Sequence, residues 1–419
     1  MIKYYSGLLL LLSFFCNAKS SNIQKILHIT DIHYDSYYKE GTPTICVLDN
    51  ITGTGCCRET SIAIGNHSRA SKWGDLNCDL PLLAVNSTLS WIKETIPDIE
   101  FIIYTGDAVD HHDIFQTIDG NLHEITKMLS MFNYYFPKLP LYSVLGNHDT
   151  YPIDQTAPYI YQYILSKLFP IWSRWIKNNT NTLTKYGYYS IPINTNLQLV
   201  GFNSNYYDSI NLFKIDSKEK EKNDGYQMNW LESQFITAKE NKKKIMLLNH
   251  IPLFGGESIS YYNTRLLSVL KKYNDTLLIH LNGHEHSDHF YLYHNNNTTF
   301  SYATIPNSLM ASNNFPGFRV MEYNKTTNKL VNYKQYVCNL TLVIATDKYN
   351  CEELYDFQRL YRVPDMSTKS FTEVYNKLRT NITMLNKYLE YKDYGSPITS
   401  KCNYKDSKCV NHYLDEILV

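Results

Sequence analysis

Five apolar runs of strand length along this chain each stop at a residue with a lone pair to offer. Lys25–Thr30 ends at Asp31, Phe101–Thr105 at Gly106-Asp107, Leu141–Leu145 at Gly146-Asn147, Lys244–Asn249 at His250, and Thr276–Leu281 at Asn282-Gly283-His284. Runs that are apolar throughout, rather than alternating, belong to strands buried on both faces. Such strands need helices over them, and helical patterns lie between: Leu80–Glu94, residues 113–134, Tyr159–Trp175 and Met228–Ala238. The expected class is α/β, with mixed or parallel strands whose carboxyl ends bring polar side chains together. Tyr186–Ile191 and Leu197–Phe202 are further strand candidates; Tyr291–His294, Phe300–Ala303, Phe318–Tyr323 and Leu330–Tyr336 would finish the sheets.

The polar ends share a chemistry. Asp31 and His33 are two residues apart, so in extended chain both aim to one side. Gly106 permits close backbone approach beside Asp107, a carboxylate able to bridge two cations. Gly146-Asn147-His148-Asp149 places an amide ligand next to an imidazole, and His250 with Gly283-His284-Glu285-His286 adds three imidazoles. Any one of these is an ordinary polar turn; five at successive strand ends describe a dinuclear metal centre. Four imidazoles with carboxylate oxygens suit zinc, with manganese or iron as alternatives, and are poor chemistry for calcium.

The start of the chain bears on its compartment. Lys3 precedes apolar Leu8–Cys16, then Asn17 and Ala18, the pattern of a secretory leader over 1–18. The run is shorter than the roughly 20 apolar residues of a membrane span, and no comparable stretch lies at Asp415–Val419. Neither a spanning segment nor a C-terminal lipid anchor is expected. Of nine cysteines, Cys16 leaves with the leader. We expect the rest to pair as Cys46–Cys56, Cys57–Cys78, Cys338–Cys351 and Cys402–Cys409, although the sequence permits many other connectivities. Ten Asn-x-Ser/Thr acceptors, at Asn50, Asn66, Asn86, Asn178, Asn274, Asn296, Asn297, Asn324, Asn339 and Asn381, suit a chain with N-linked glycans. The expected destination is secretion, with a lysosomal or other endomembrane lumen as the alternative. Forty basic residues balance forty acidic ones, so no overall field draws the chain to a nucleic-acid polymer. We place a catalytic domain over 19–337 and a disulfide-tied helical subdomain over 338–419, with helices at Cys351–Tyr361 and Phe371–Tyr391.

Taken in order, the blocks Asp31-Ile32-His33, Gly106-Asp107, Gly146-Asn147-His148-Asp149, Asn249-His250 and Gly283-His284-Glu285-His286 resemble the calcineurin-like metallophosphoesterase pattern. More narrowly, Cys56-Cys57-Arg58, Lys72-Trp73-Gly74 and Cys78-Asp79-Leu80-Pro81 resemble the acid-sphingomyelinase-like phosphodiesterases. The resemblance implies a four-layer fold in which two central mixed sheets are flanked by helices, and it agrees with the N-terminal cysteine pairing. It also implies that Asp31, His33, Asp107 and His286 hold one zinc and Asp107, Asn147, His250 and His284 the other, with Asp107 and a water or hydroxide bridging.

A water shared by two cations loses its proton more readily than bulk water and would attack phosphorus in line. His148, beside Asn147 but outside the ligand set, is the first candidate for stabilising the transition state or protonating the leaving oxygen. His111 is the second, favoured over His112 by the family. Asp149 either orients His148 or caps a turn. The substrate implied is a phosphodiester such as sphingomyelin, cut to ceramide and phosphocholine. The alternative is a nucleotide: a nucleoside triphosphate or a choline-containing one. Asp31 follows the leader so closely that the saposin-like lipid-binding domain of full acid sphingomyelinases has no room. Peripheral lipid contact would then fall to another hydrophobic surface or an auxiliary factor; Tyr206, Tyr207, Phe254, Trp172 and Trp175 are candidates for a lipid-contacting rim, for stacking on a base, or for the core.

Overall fold

The computed structural model describes residues 22–47, 55–66, 68–112, 116–177, 180–295, 298–310, 314–396, 401–403 and 406–419. The leader and the acceptors Asn50, Asn178, Asn296 and Asn297 lie outside them. The strands among these residues are β1 (Ile23–Ile29), β2 (Ile99–Tyr104), β3 (Leu141–Ser143), β4 (Tyr189–Pro192), β5 (Leu197–Gly201), β6 (Lys244–Leu248), β7 (Leu277–Leu281), β8 (His289–Asn295), β9 (Thr298–Ile305), β10 (Gly317–Asn324), β11 (Lys329–Val337) and β12 (Glu352–Asp356). They form two six-stranded sheets, ordered β12-β11-β10-β1-β2-β3 and β4-β5-β6-β7-β9-β8. In the first sheet β1, β2 and β3 run parallel while β10, β11 and β12 are antiparallel neighbours. In the second, β5, β6, β7 and β9 are parallel and β4 and β8 close the edges antiparallel. Both sheets are mixed, and helices flank them in the expected α/β arrangement.

The all-apolar runs are the parallel centre of each sheet, as burial on both faces requires. Helix Leu82–Thr95 lays Ala84, Val85, Thr88, Leu89 and Ile92 inward, one stripe at helical spacing. The helix anticipated over 113–134 begins only at Ile118, because the Thr117 hydroxyl accepts from Gly120 N and caps it. The C-terminal region is helical, with two departures from expectation. Glu352–Asp356 is a strand rather than the start of a helix: the Cys338–Cys351 bond returns the chain beside β11, where it pairs antiparallel and buries Tyr355. The single helix expected over Phe371–Tyr391 is two, Thr368–Thr380 and Ile382–Lys392, because the Asn381 side chain accepts from Thr383 N and Met384 N and starts the second. Helix Ser260–Lys272 was not anticipated. All four disulfides pair as expected. No helix among the described residues is long and apolar enough to cross a membrane.

Candidate metal centre

The strand ends carry the site, at the carboxyl edges of both parallel cores. Asp31 and His33 follow β1, Asp107 follows β2, Asn147 follows β3, His250 follows β6, and His284 and His286 follow β7. The backbone there is unusual: φ is positive at Asp31 (49°), His33 (43°), Asp107 (60°), His284 (77°) and His286 (59°). Non-glycine residues seldom adopt this left-handed region, and five of them at one site mark a functional constraint. Two glycines meet back to back beneath Asp107. A Cβ on Gly146 would stand 1.9 Å from Asp107 Oδ1, and one on Gly106 would stand 2.3 Å from Gly146 N.

Asp107 is the hub of these side chains. Its Oδ2 lies 3.1 Å from His250 Nε2 and 3.5 Å from His33 Nε2. Asp31 Oδ1 lies 3.5 Å from His286 Nε2, and the His33 and His286 Nε2 atoms are 3.1 Å apart. On the other side Asn147 Oδ1 lies 2.8 Å from His250 Nε2 and 3.0 Å from His284 Nδ1.

Whether these atoms suit cations follows from where the ring protons are. His33 Nδ1 donates to Val109 O and His250 Nδ1 to Thr105 O, both at 2.7 Å, so Nε2 is the nitrogen each neutral ring offers to a cation. His284 Nε2 donates to Glu257 Oε2 at 3.0 Å, leaving the lone pair on Nδ1. The Asn147 amide donates through Nδ2 to Asp154 Oδ1 at 2.8 Å, which turns its oxygen inward. Lone pairs facing lone pairs and carboxylates across about 3 Å repel unless positive charge sits between them. The donor set therefore fits an Asp107-centred site for two metal ions. Electrostatics agree. Burial opposes a charge on Asp107, yet the imidazoles around it, His250 first, hold its carboxyl well below the usual range. Burial opposes a charge on His250 too, but Asp107 overrides it and lifts that ring to about 10, so with no ion bound its Nε2 holds a proton at the place where a cation would sit.

Both candidate catalytic histidines stand over this centre. The His111 ring stacks on His33 with centroids 3.8 Å apart, and His148 meets His111 edge-on at 4.4 Å. Burial and then His111 push the His148 ring down to about 3. His111, His148, Asn147, Asp107, His284 and His286 line a cavity of about 290 Å³, together with Asp154, Ile210 and Glu257. Asp149 fills the turn role: its carboxylate accepts from Asp107 N, Ala108 N and Gly146 N. Glu285 accepts from the Tyr291 hydroxyl. His28, His280, His289 and His294 are engaged elsewhere, with Thr105, Tyr293, Tyr388 and Val419 O.

The sequence profile described as calcineurin-like phosphoesterase matches residues 24–288, more than half of the chain. The chain belongs to this family. Within the phosphoesterases it is similar to sphingomyelin phosphodiesterase A of Dictyostelium discoideum, at 28% identity over 405 residues, 95% of this chain and 67% of that protein. Sphingomyelin phosphodiesterase 2 of Caenorhabditis elegans is 28% identical over 417 residues, 92% of this chain and 67% of that one. The cyclic GMP-AMP phosphodiesterase SMPDL3A of Homo sapiens is 28% identical over 390 residues, 84% of this chain and 82% of that protein.

Three carboxylates of this phosphoesterase had no role assigned from sequence. Asp79, fully buried, accepts from His111 Nδ1 and His111 N, both at 2.8 Å. It lies beside Cys78 in one of the blocks that carried the narrower resemblance, a signal that was present. Asp154 and Glu257 belong to no periodic pattern, and only folding brings them to Asn147 and His284. Of the aromatic candidates, Trp172, Tyr206 and Tyr207 are buried, Trp175 is partly so, and Phe254 is exposed.

Proposed function

We propose that this phosphoesterase is a secreted, zinc-dependent phosphodiesterase that cuts a diester such as sphingomyelin to ceramide and phosphocholine. The observation that carries the reading is the convergence of imidazole nitrogens, carboxylate oxygens and the Asn147 amide oxygen around Asp107. One zinc would be held by Asp31, His33, Asp107 and His286, the other by Asp107, Asn147, His250 and His284. Two such ions, when bound, supply an activated water and draw charge from the phosphate oxygens. His148, kept neutral, donates a hydrogen bond to the phosphate as charge develops. Asp79 accepts a hydrogen bond from His111 Nδ1–H and turns the other ring nitrogen away from the carboxylate, and in the doubly protonated ring the proton on that nitrogen would pass to the leaving oxygen. The four disulfides support an oxidising, exported route, in which some of the acceptors would carry glycans.

The cavity rim supports a substrate with hydrocarbon on it. Ile210 lines the cavity, and its neighbours Leu212 and Phe213 are exposed, Leu212 by 83%. Ser209 N donates to Glu257 O at 2.6 Å, joining this loop to the one that carries exposed Phe254. A second reading, a nucleotide phosphodiesterase or phosphoanhydride hydrolase, draws support from the relatives named for cyclic GMP-AMP. The test is a matched assay on sphingomyelin vesicles, choline phosphodiesters and nucleoside triphosphates with metal content measured. Turnover of the lipid above the nucleotides is expected. Failure of folded, zinc-loaded protein on every phosphate compound would reject the enzyme reading.

A further inference from the structure

The ligands just assigned are oriented by two kinds of partner. His33 and His250, both fully buried, give their Nδ1 protons to main-chain carbonyls, Val109 O and Thr105 O. Those carbonyls cannot leave without unravelling the ends of the strands. His284 and Asn147 instead give N–H groups to side-chain carboxylates, Glu257 at 3.0 Å and Asp154 at 2.8 Å, and both carboxylates line the cavity. The donor atoms thus fixed, His284 Nδ1 and Asn147 Oδ1, are 3.0 Å apart. Two carboxylates from separate loops therefore act on one corner of the site.

We propose that Glu257 and Asp154 are positioning residues for one ion of the pair, the one assigned to Asn147, His250 and His284, and that the other ion does not depend on them. The proposal rests on the dinuclear reading above. An amide is nearly symmetric in shape, and a carboxylate, which only accepts, settles which end faces inward: Asp154 takes the NH2 of Asn147. A carboxylate behind an imidazole fixes its tautomer and makes its free nitrogen a better donor: Glu257 does this for His284. The ion assigned to Asp31, His33 and His286 has its carboxylate held by other groups. Thr30 Oγ1 donates to Asp31 Oδ2 at 2.5 Å, and His284 N donates to both Asp31 oxygens at 3.0 and 3.1 Å. None of these contacts passes through Glu257 or Asp154.

The test is metal counting on the full chain. Zinc-loaded wild type and variants are dialysed against graded chelator and metal per chain is measured, with the visible spectrum of the cobalt-loaded protein as a second readout. Wild type is expected to hold two ions. In Glu257→Ala and in Asp154→Ala one ion should bind about 10- to 100-fold more weakly while the other keeps its affinity. Glu257→Gln, which retains an acceptor oxygen and sits on a half-exposed side chain, should restore much of the loss. Parallel loss of both ions, or wild-type retention of both in the alanine variants, overturns the proposal. A wild-type chain that binds fewer than two ions overturns the dinuclear reading itself, a result distinguishable before any variant is made.

Discussion

The first sheet brings oxygen to the site and the second brings imidazole. β1, β2 and β3 deliver Asp31, Asp107 and Asn147 with one ring, His33, whereas β6 and β7 deliver His250, His284 and His286 alone. The loops behind them are built as differently. Beyond β1 and β2 the chain stays paired: Asp31 N donates to Gly106 O, His33 N to Asp107 O, Tyr34 N to Ala108 O and Leu80 N to His33 O. The Cys57–Cys78 bond ties together the residues next to Arg58 and Asp79, and these brace the same segment through Asp110 and His111. Beyond β6 the loop carrying Phe254 and Glu257 contains no disulfide and exposes apolar side chains. Asp31 and Asp107 sit where neighbouring loops are hydrogen-bonded to each other, and the opposite rim, with its exposed apolar side chains, is the more open one.

The sharpest way to break this contrast is at its centre. Asp107→Asn should lose bound metal and lower turnover by more than about a thousandfold, because one neutral oxygen replaces a bridging charge. Near-normal turnover with normal metal content would remove Asp107 from the bridging position. His148→Ala should keep most of the metal and lower turnover about 10²- to 10³-fold, the range for loss of one transition-state donor. Unchanged turnover would leave the ring without a catalytic role. On the opposite rim, the pair Leu212→Ser and Phe213→Ser should leave a water-soluble diester unaffected and reduce turnover on sphingomyelin vesicles by about tenfold or more, given about 1.5–3 kcal/mol per buried side chain. An equal fall on both substrates would make the rim structural.

The smallest effect tests the bracing of the first rim. Burial, then Asp110 and Asp35, raise Glu124 to about 8. A folded carboxyl whose pKa lies above its unfolded value holds its proton longer in the native state, so its contribution to stability declines as pH rises from about 4.5 to 8. Glu124→Gln should flatten that decline, shifting Tm relative to wild type by a few degrees, roughly, between pH 5 and pH 8. Parallel melting curves across the range would show that Glu124 does not titrate there.

The parallel centre of each sheet was legible because a strand buried on both faces has to be an apolar run, and a ligand placed at its end has to be the next polar residue. Asp31, Asp107 and Asn147 announce themselves in that way. Glu257 and Asp154 do not: each is one loop carboxylate among many, and its role is set by the partner that folding brings to it, His284 lying 27 residues after Glu257 and Asn147 seven before Asp154. The strand Glu352–Asp356 was read as helix because five residues beside a cysteine carry little periodicity, and pairing with β11 decides their state. Helix Ser260–Lys272 has an inward stripe of Tyr262, Asn263, Leu266, Val269 and Leu270, but its opening Ser-Tyr-Tyr-Asn is poor in helix formers and hid it. Aromatic content could not separate Phe254, which is exposed, from Tyr206 and Tyr207, which are core.

The left-handed backbone at Asp31, His33, Asp107, His284 and His286 also bears on ancestry. Each such residue costs about 1–3 kcal/mol, against a whole-chain stability on the order of 5–15 kcal/mol. Selection for catalysis has to maintain that cost in every generation. A lineage that stopped using the ions would drift first at these five positions, toward glycine or asparagine, and would become more stable as it did so.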